Sequence, residues 1–160
     1  MRVISKKAKY CLRALYGLSQ SYGAGPVLIA DLAEQESIPK RFLEQILLTL
    51  KGKGIVGSKP GRNGGCYLTR RPTEITIGSV IRAIEGPLAP LSCASETAYH
   101  ACEDCPDAVL CGTQLVMREV RDATAGVLDN TTLADVCKRI ARKRTLLGKR
   151  SRIRKKPRVH

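Results

Sequence analysis

The sequence predicts a mainly α-helical fold with a small β-hairpin wing, a winged helix-turn-helix domain followed by a long helix. Three observations carry this. Three segments with helical spacing come first, and a two-strand pattern around a glycine-rich turn follows them. A long helical period returns after an irregular stretch. Charge is also segregated: residues 1–71 hold 13 basic and 4 acidic residues, residues 72–137 hold 3 and 10, and residues 138–160 hold 12 and none. A basic head and a basic tail can each meet a polyanion, and the acidic middle is unsuited to it.

Each element has its own local signal. From Ser5 to Tyr22, residues Ala8, Cys11, Leu12, Leu15, Leu18 and Tyr22 keep helical spacing, and Gly23 stops the helix. Gly17 inside it costs about 1 kcal/mol against alanine, so a close neighbour is expected there. A second helix runs from about Ile29 to Glu36, and Ser37-Ile38-Pro39 breaks it. Pro39 suits the start of a third helix that continues to about Lys51. In that helix Phe42, Leu43, Ile46, Leu47 and Leu50 form an apolar stripe, and Lys40, Arg41, Glu44, Gln45 and Lys51 lie off it. Ile55–Lys59 and Cys66–Leu68 are the strands, joined by Pro60-Gly61-Arg62-Asn63-Gly64-Gly65.

The remainder is helical apart from one loop. Thr76 caps a helix from Ile77 to Glu85, closed by Gly86-Pro87. Residues 88–104 show no period, and Pro106 can open a further helix. From Cys111 to Leu128, residues Leu115, Val116, Val120, Ala123, Val127 and Leu128 return to helical spacing, and Asp129-Asn130 ends the run. Thr132 and Asp135 form a capping box for a last helix with Leu133, Val136, Cys137 and Ile140 on its apolar side. Beyond about Arg144 the chain has little to bury. The expected organisation is therefore a winged domain over residues 1–87, a cysteine-rich loop over 88–111, helices over 112–144, and a basic disordered tail over 145–160.

Composition excludes several classes. At 160 residues and 43% hydrophobic, the chain can bury a core without disulfides. No apolar run approaches the roughly 20 residues of a membrane span, and the first residues lack the apolar core of a signal peptide. A cytoplasmic location with no membrane partner is the expectation.

Two constellations carry chemistry. A helix in the major groove reads base edges through its outward polar side chains: Arg or Lys donates to guanine, Gln pairs with adenine, Glu accepts from cytosine. Lys40, Arg41, Glu44, Gln45 and Lys51 fit that work, and Arg62 and Asn63 at the hairpin tip fit a phosphate backbone or minor groove. Double-stranded DNA is the expected partner. The alternative is an ordinary helical bundle with a solvated charged face. The second constellation is Cys93, Cys102, Cys105 and Cys111, four thiols within 19 residues. Soft thiolates bind zinc, Cu(I) or iron–sulfur clusters. One close pair with wider flanking intervals sits awkwardly for structural zinc, which favours two close pairs. Free thiols, or a redox dithiol at Cys102 and Cys105, remain open. A thiol oxidoreductase is disfavoured, because Glu103 and Asp104 would raise thiol pKa values and no basic residue lies between Arg82 and Arg118. Cys11 and Cys137 read as small core residues.

The stretch IPKRFLEQILLTLKGKGIVGSKPGRNGGCYL resembles the recognition helix and wing of the Rrf-two family of iron–sulfur regulators. TIGSVIRAIEGP resembles its next helix and TTLADV its ending after the dimerisation helix, so the likeness covers residues 1–137. The resemblance implies a homodimeric transcription regulator, no enzyme, with a redox- or iron-responsive repressor as the expected role. It implies one iron–sulfur cluster per subunit, 2Fe–2S or 4Fe–4S, with Cys93, Cys105 and Cys111 as ligands by position. Family members complete the set with a His three residues after the last Cys, where this chain has Gln114, or with an acidic residue near the N-terminus, where it has Lys7-Ala8-Lys9. Cys102 is then the expected fourth ligand, with His100 in reserve. Structural zinc or cluster-free thiol sensing on the same fold is the alternative.

Overall fold

In a computed structural model of the chain, the backbone is described for residues 4–103, 105, 107 and 109–154, and side chains to residue 147. Helix α1 (Lys6–Gln20) starts where the Ser5 hydroxyl accepts from the Ala8 amide at 3.1 Å. It buries Ala8, Cys11, Ala14, Leu15 and Leu18. Gly17 is the point of closest approach: a Cβ there would lie 2.8 Å from the Leu32 side chain of α2 (Ile29–Gln35). The glycine's propensity cost is thus offset by helix-to-helix contact.

Helix α3 (Lys40–Gly52) buries Leu43, Ile46, Leu47 and Leu50. Phe42 is half-exposed and turns to the Tyr10 ring edge-on, with centroids 5.5 Å apart. Strands β1 (Val56–Lys59) and β2 (Gly65–Leu68) pair antiparallel, from Val56 opposite Leu68 to Lys59 opposite Gly65. Val27 joins the hairpin by exchanging two backbone hydrogen bonds with Cys66, at 2.9 and 2.8 Å.

Helix α4 (Ile77–Glu85) is capped by Thr76, whose hydroxyl accepts from the Ser79 amide at 3.1 Å. Its Arg82 grips Asp129 at the end of α5 (Gly112–Asp129) through two contacts of 2.6 and 2.8 Å. This pair holds the Asp129 carboxyl below its ordinary range, but both groups are about two-fifths exposed. A pair so exposed contributes at most about 1 kcal/mol. Helix α6 (Leu133–Arg154) opens with the expected capping box: the Thr132 hydroxyl donates to Asp135 at 2.6 Å and accepts from the Asp135 amide at 3.1 Å. Leu133 is fully buried and ties α6 into the core formed by Leu15, Leu18, Leu32, Leu43, Ile46, Leu50 and Ile75.

Three expectations need correction. The further helix that Pro106 could open is not formed at Asp107, Val109 or Leu110, and Pro106 itself lies outside the described residues; α5 begins at Gly112, next to its expected start at Cys111. The 88–104 stretch contains one short 3₁₀ turn, Ser92–Ala94. The region from 145 is not irregular as far as it is described, because α6 runs on to Arg154. Arg, Lys and Leu are all good helix formers, which favours a helical backbone there. Residues 155–160 lie outside the described residues.

Candidate nucleic-acid interface and cysteine loop

Helices α2 and α3 meet at a tight turn in which Ser37 adopts φ 50° and the Ile38 amide donates to the Ala33 carbonyl at 2.8 Å. Arg13 of α1 donates to the Glu36 carbonyl at this turn. With α3 buried along its apolar stripe, Lys40, Arg41, Glu44, Gln45 and Lys51 are all exposed. A cleft of about 640 Å³ separates α3 from the wing and is lined by Lys40, Glu44, Lys51, Ser58 and Lys59. The structure therefore brings Lys40, Glu44 and Lys51 together. Arg41 and Gln45 lie one step around the helix, and Arg62 and Asn63 are exposed at the wing tip without lining the cleft.

Lys51 also has a local duty. Its ammonium donates to the Ser58 hydroxyl at 2.7 Å, bracing β1 against the end of α3. Sequence reasoning missed Lys59, on the wing wall, and Leu48, which is 65% exposed beside Gln45. Leu48 had a usable signal: it falls off the apolar stripe, and an outward leucine can meet a thymine methyl.

The cysteine loop is anchored at both ends. Cys93 is buried in the 3₁₀ turn, and its carbonyl accepts from the buried Gln114 side chain of α5 at 2.7 Å. Arg121, two turns further along the same face of α5, donates to the Ala94 carbonyl at 2.7 Å. Cys111 is the N-cap of α5. The Gln114 backbone amide, the contact with Cys105 and the Thr113 amide together hold its thiol below the ordinary pKa. The Cys105 thiol donates to the Asp107 carbonyl at 3.4 Å; its interaction with Cys111 pushes it up, and Cys102 is within electrostatic reach of it. The structure brings Cys105 and Cys111 together with Cys102 nearby, and holds the Cys93 backbone on Gln114, one turn into α5. Among the described residues no three His, Cys, Asp or Glu side chains converge on one point. His100 is exposed in the loop. The donor chemistry, thiols beside a helix N-terminus, fits a thiolate-bound iron–sulfur group.

The other thiols are structural. Burial pushes Cys11 up to about 12 and Cys66 up to about 11, and raises half-buried Cys137.

The profile of Rrf2, described as an iron-dependent transcriptional regulator, matches residues 4–139. The chain belongs to the Rrf2 family. It is 39% identical to an rrf2-like HTH-type transcriptional regulator of Rhodobacter capsulatus, over 84% of this chain and 91% of that one. It superposes on the structure of CymR, the global cysteine regulator of B. subtilis, with TM-score 0.70 and 34% identity, over 86% and 98% of the two chains. IscR from T. potens gives TM-score 0.69 and 31% identity, over 88% of each.

As an Rrf2 protein the chain is a DNA-binding transcriptional regulator, and its mainly helical fold with a two-strand wing is that of the family. Within this Rrf2 fold α5 buries only Gln114, and Leu115, Val116, Val120 and Val127 are exposed along it. Among the described residues no helix is long and apolar enough to cross a membrane. The Rrf2 match ends inside α6, and fifteen of that helix's residues lie beyond it.

Proposed function

We propose that this Rrf2 regulator acts as a homodimer, binds a double-stranded operator as a repressor, and couples operator affinity to an iron–sulfur cluster held by Cys93, Cys102, Cys105 and Cys111. The observation that carries the sensing role is the placement of Cys111 as the N-cap of α5, against Cys105. A bound cluster supplies redox and ligand-exchange chemistry at that point. The chain's own residues do the rest. Gln114 and Arg121 hold the Ser92–Ala94 turn on α5, and the loop's state is passed to the α5 helices. Val116, Val120, Ala123 and Val127 repeat at coiled-coil spacing, the pattern that a second copy of α5 would cover. Changing how the two α5 helices meet changes the separation of the two recognition helices and hence the fit to half-sites.

Anaerobic purification should give a coloured protein with iron and sulfide in each chain, and Cys111→Ser should lose both. Cluster-loaded protein should differ from apo protein in operator affinity by about 5–150-fold, the usual range of coupling. A colourless protein with one zinc per chain would sink the cluster, and equal affinities would remove the switch. The Cys105–Cys111 contact, with no three candidate ligands converging among the described residues, favours cluster-free thiol sensing as the second reading. Iron-free protein whose operator affinity still responds to oxidation would establish it.

We assign base reading to Arg41, Glu44 and Gln45 with Lys40, and phosphate contact to Arg62 and Asn63. Gln45→Ala should cost about 1–3 kcal/mol of discrimination at its base pair. Arg62→Ala should weaken all duplexes alike and reduce the salt slope by about 0.9. Fluorescence anisotropy across a salt series distinguishes the two. A change of preferred sequence in Arg62→Ala would reverse the assignment.

A further inference from the structure

We propose that helix α6 is a second DNA-contacting surface, which grips duplex phosphates flanking the site read by α3 and the wing. The inference rests on the family's DNA binding and not on the cluster. From Lys138 to the end of the sequence there are 12 basic residues and no acidic one. The described ones, Lys138, Arg139, Arg142, Lys143 and Arg144, are all exposed. They lie on a continuous helix, not a loose chain.

A helix that merely faced water would gain from alternating charges at i,i+4. Here Lys138 with Arg142 and Arg139 with Lys143 place like charges at that spacing. The arrangement is self-repelling alone and is relieved by an anionic partner. The choice of DNA comes from where α6 leaves the core. The Cys137 thiol lies 3.9 Å from the Tyr16 carbonyl of α1, and at the next residue, Gly17, a Cβ would lie 3.0 Å from the carboxylate of Glu36, the C-cap of α2 at the helix-turn-helix turn. The basic stretch thus departs from a point adjoining the turn that leads into α3. From Lys138 to Arg154 it spans roughly 25 Å at about 1.5 Å per residue. Duplex DNA offers one phosphate per about 1.7 Å along such a length.

The test compares the full chain with R139Q/R142Q/K143Q/R144Q, glutamine being a comparable helix former. Circular dichroism and the unfolding midpoint check that the variant folds. R139K/R142K keeps the charge and should bind as the parent does. The probes are short and long random-sequence duplexes over a salt series, sites enriched from fragmented genomic DNA, and vesicles of phosphatidylglycerol. The glutamine variant should lose tenfold or more in affinity for the long duplex. Its log–log salt slope should be shallower by up to about 3.6 per chain, four contacts at about 0.9 each. The enriched motif should be the same for both proteins. An unchanged slope, an altered motif, or vesicle binding lost with duplex binding intact would each overturn the inference. If the parent chain bound no duplex at all, the DNA-binding reading itself would fail, a result separate from the others.

Discussion

Replacing Gly65 with valine is expected to unseat the wing and lower stability by about 3 kcal/mol, from backbone strain and the loss of adjoining hydrogen bonds. Gly65 has φ 145°, and a Cβ there would lie 2.2 Å from the Val27 carbonyl oxygen and 2.5 Å from its carbon. Those are backbone atoms and cannot swing aside. The next residue, Cys66, is the one that exchanges two hydrogen bonds with Val27, so relief of the clash must open that bridge. A fall in the thermal midpoint of roughly 6–12 °C follows for a chain of this size, along with weakened duplex binding as Arg62 and Asn63 move. Gly61→Ala is the matched control. It also has positive φ, 100°, but no atom within 4 Å of its Cβ position. It should cost about 1 kcal/mol, the lower end for such strain. Equal midpoints for the two variants would show that the close approach to Val27 does not matter.

Leu15→Ala should be the most damaging simple core truncation, at about 2–5 kcal/mol for a buried leucine whose cavity cannot collapse. Leu15 is fully buried in the middle of α1, the helix against which α2, α3, α4 and α6 all pack. Urea unfolding followed by far-ultraviolet dichroism measures it. Leu48→Ala supplies the contrast. With 65% exposure it should change stability by less than about 0.5 kcal/mol while altering operator affinity. A stability loss at Leu48 as large as that at Leu15 would mean that α3 is covered on its outer side.

The helices were readable because burial imposes a period. Leu43, Ile46, Leu47 and Leu50 announce α3, and Thr132 with Asp135 announces the start of α6. Gly17 was readable for a different reason: a helix tolerates a glycine in its middle when a neighbour needs the room, and Leu32 takes it. The extent of α6 was not readable, since residues 141–147 are exposed and leave no apolar period. The head of α5 was readable from the return of helical spacing at Cys111, although Cys111 caps without a side-chain hydrogen bond. In the interface, residues off the apolar stripe were legible as a group. The hydrogen bond from Lys51 to Ser58 joins two elements and has no sequence signature. Cysteine spacing announced a soft-ligand loop but carried no directions for the thiols. The part played by Gln114 shows only when Cys93 is seen against it.

That contact has a mechanical consequence. Cys111 sits at the head of α5, while Gln114 and Arg121 hold the other end of the cysteine loop on the same helix. The loop is therefore strung like a bow on a single rod. Tension inside it is borne by α5 alone and cannot by itself slide that rod along the winged domain. A signal that stays within one chain leaves the bow through its attachments to the winged domain: the lead of residues 86–91 from α4, the Arg82–Asp129 clasp at the far end of α5, and the link beyond it, where the Ile77 amide donates to the Thr131 carbonyl at 2.8 Å.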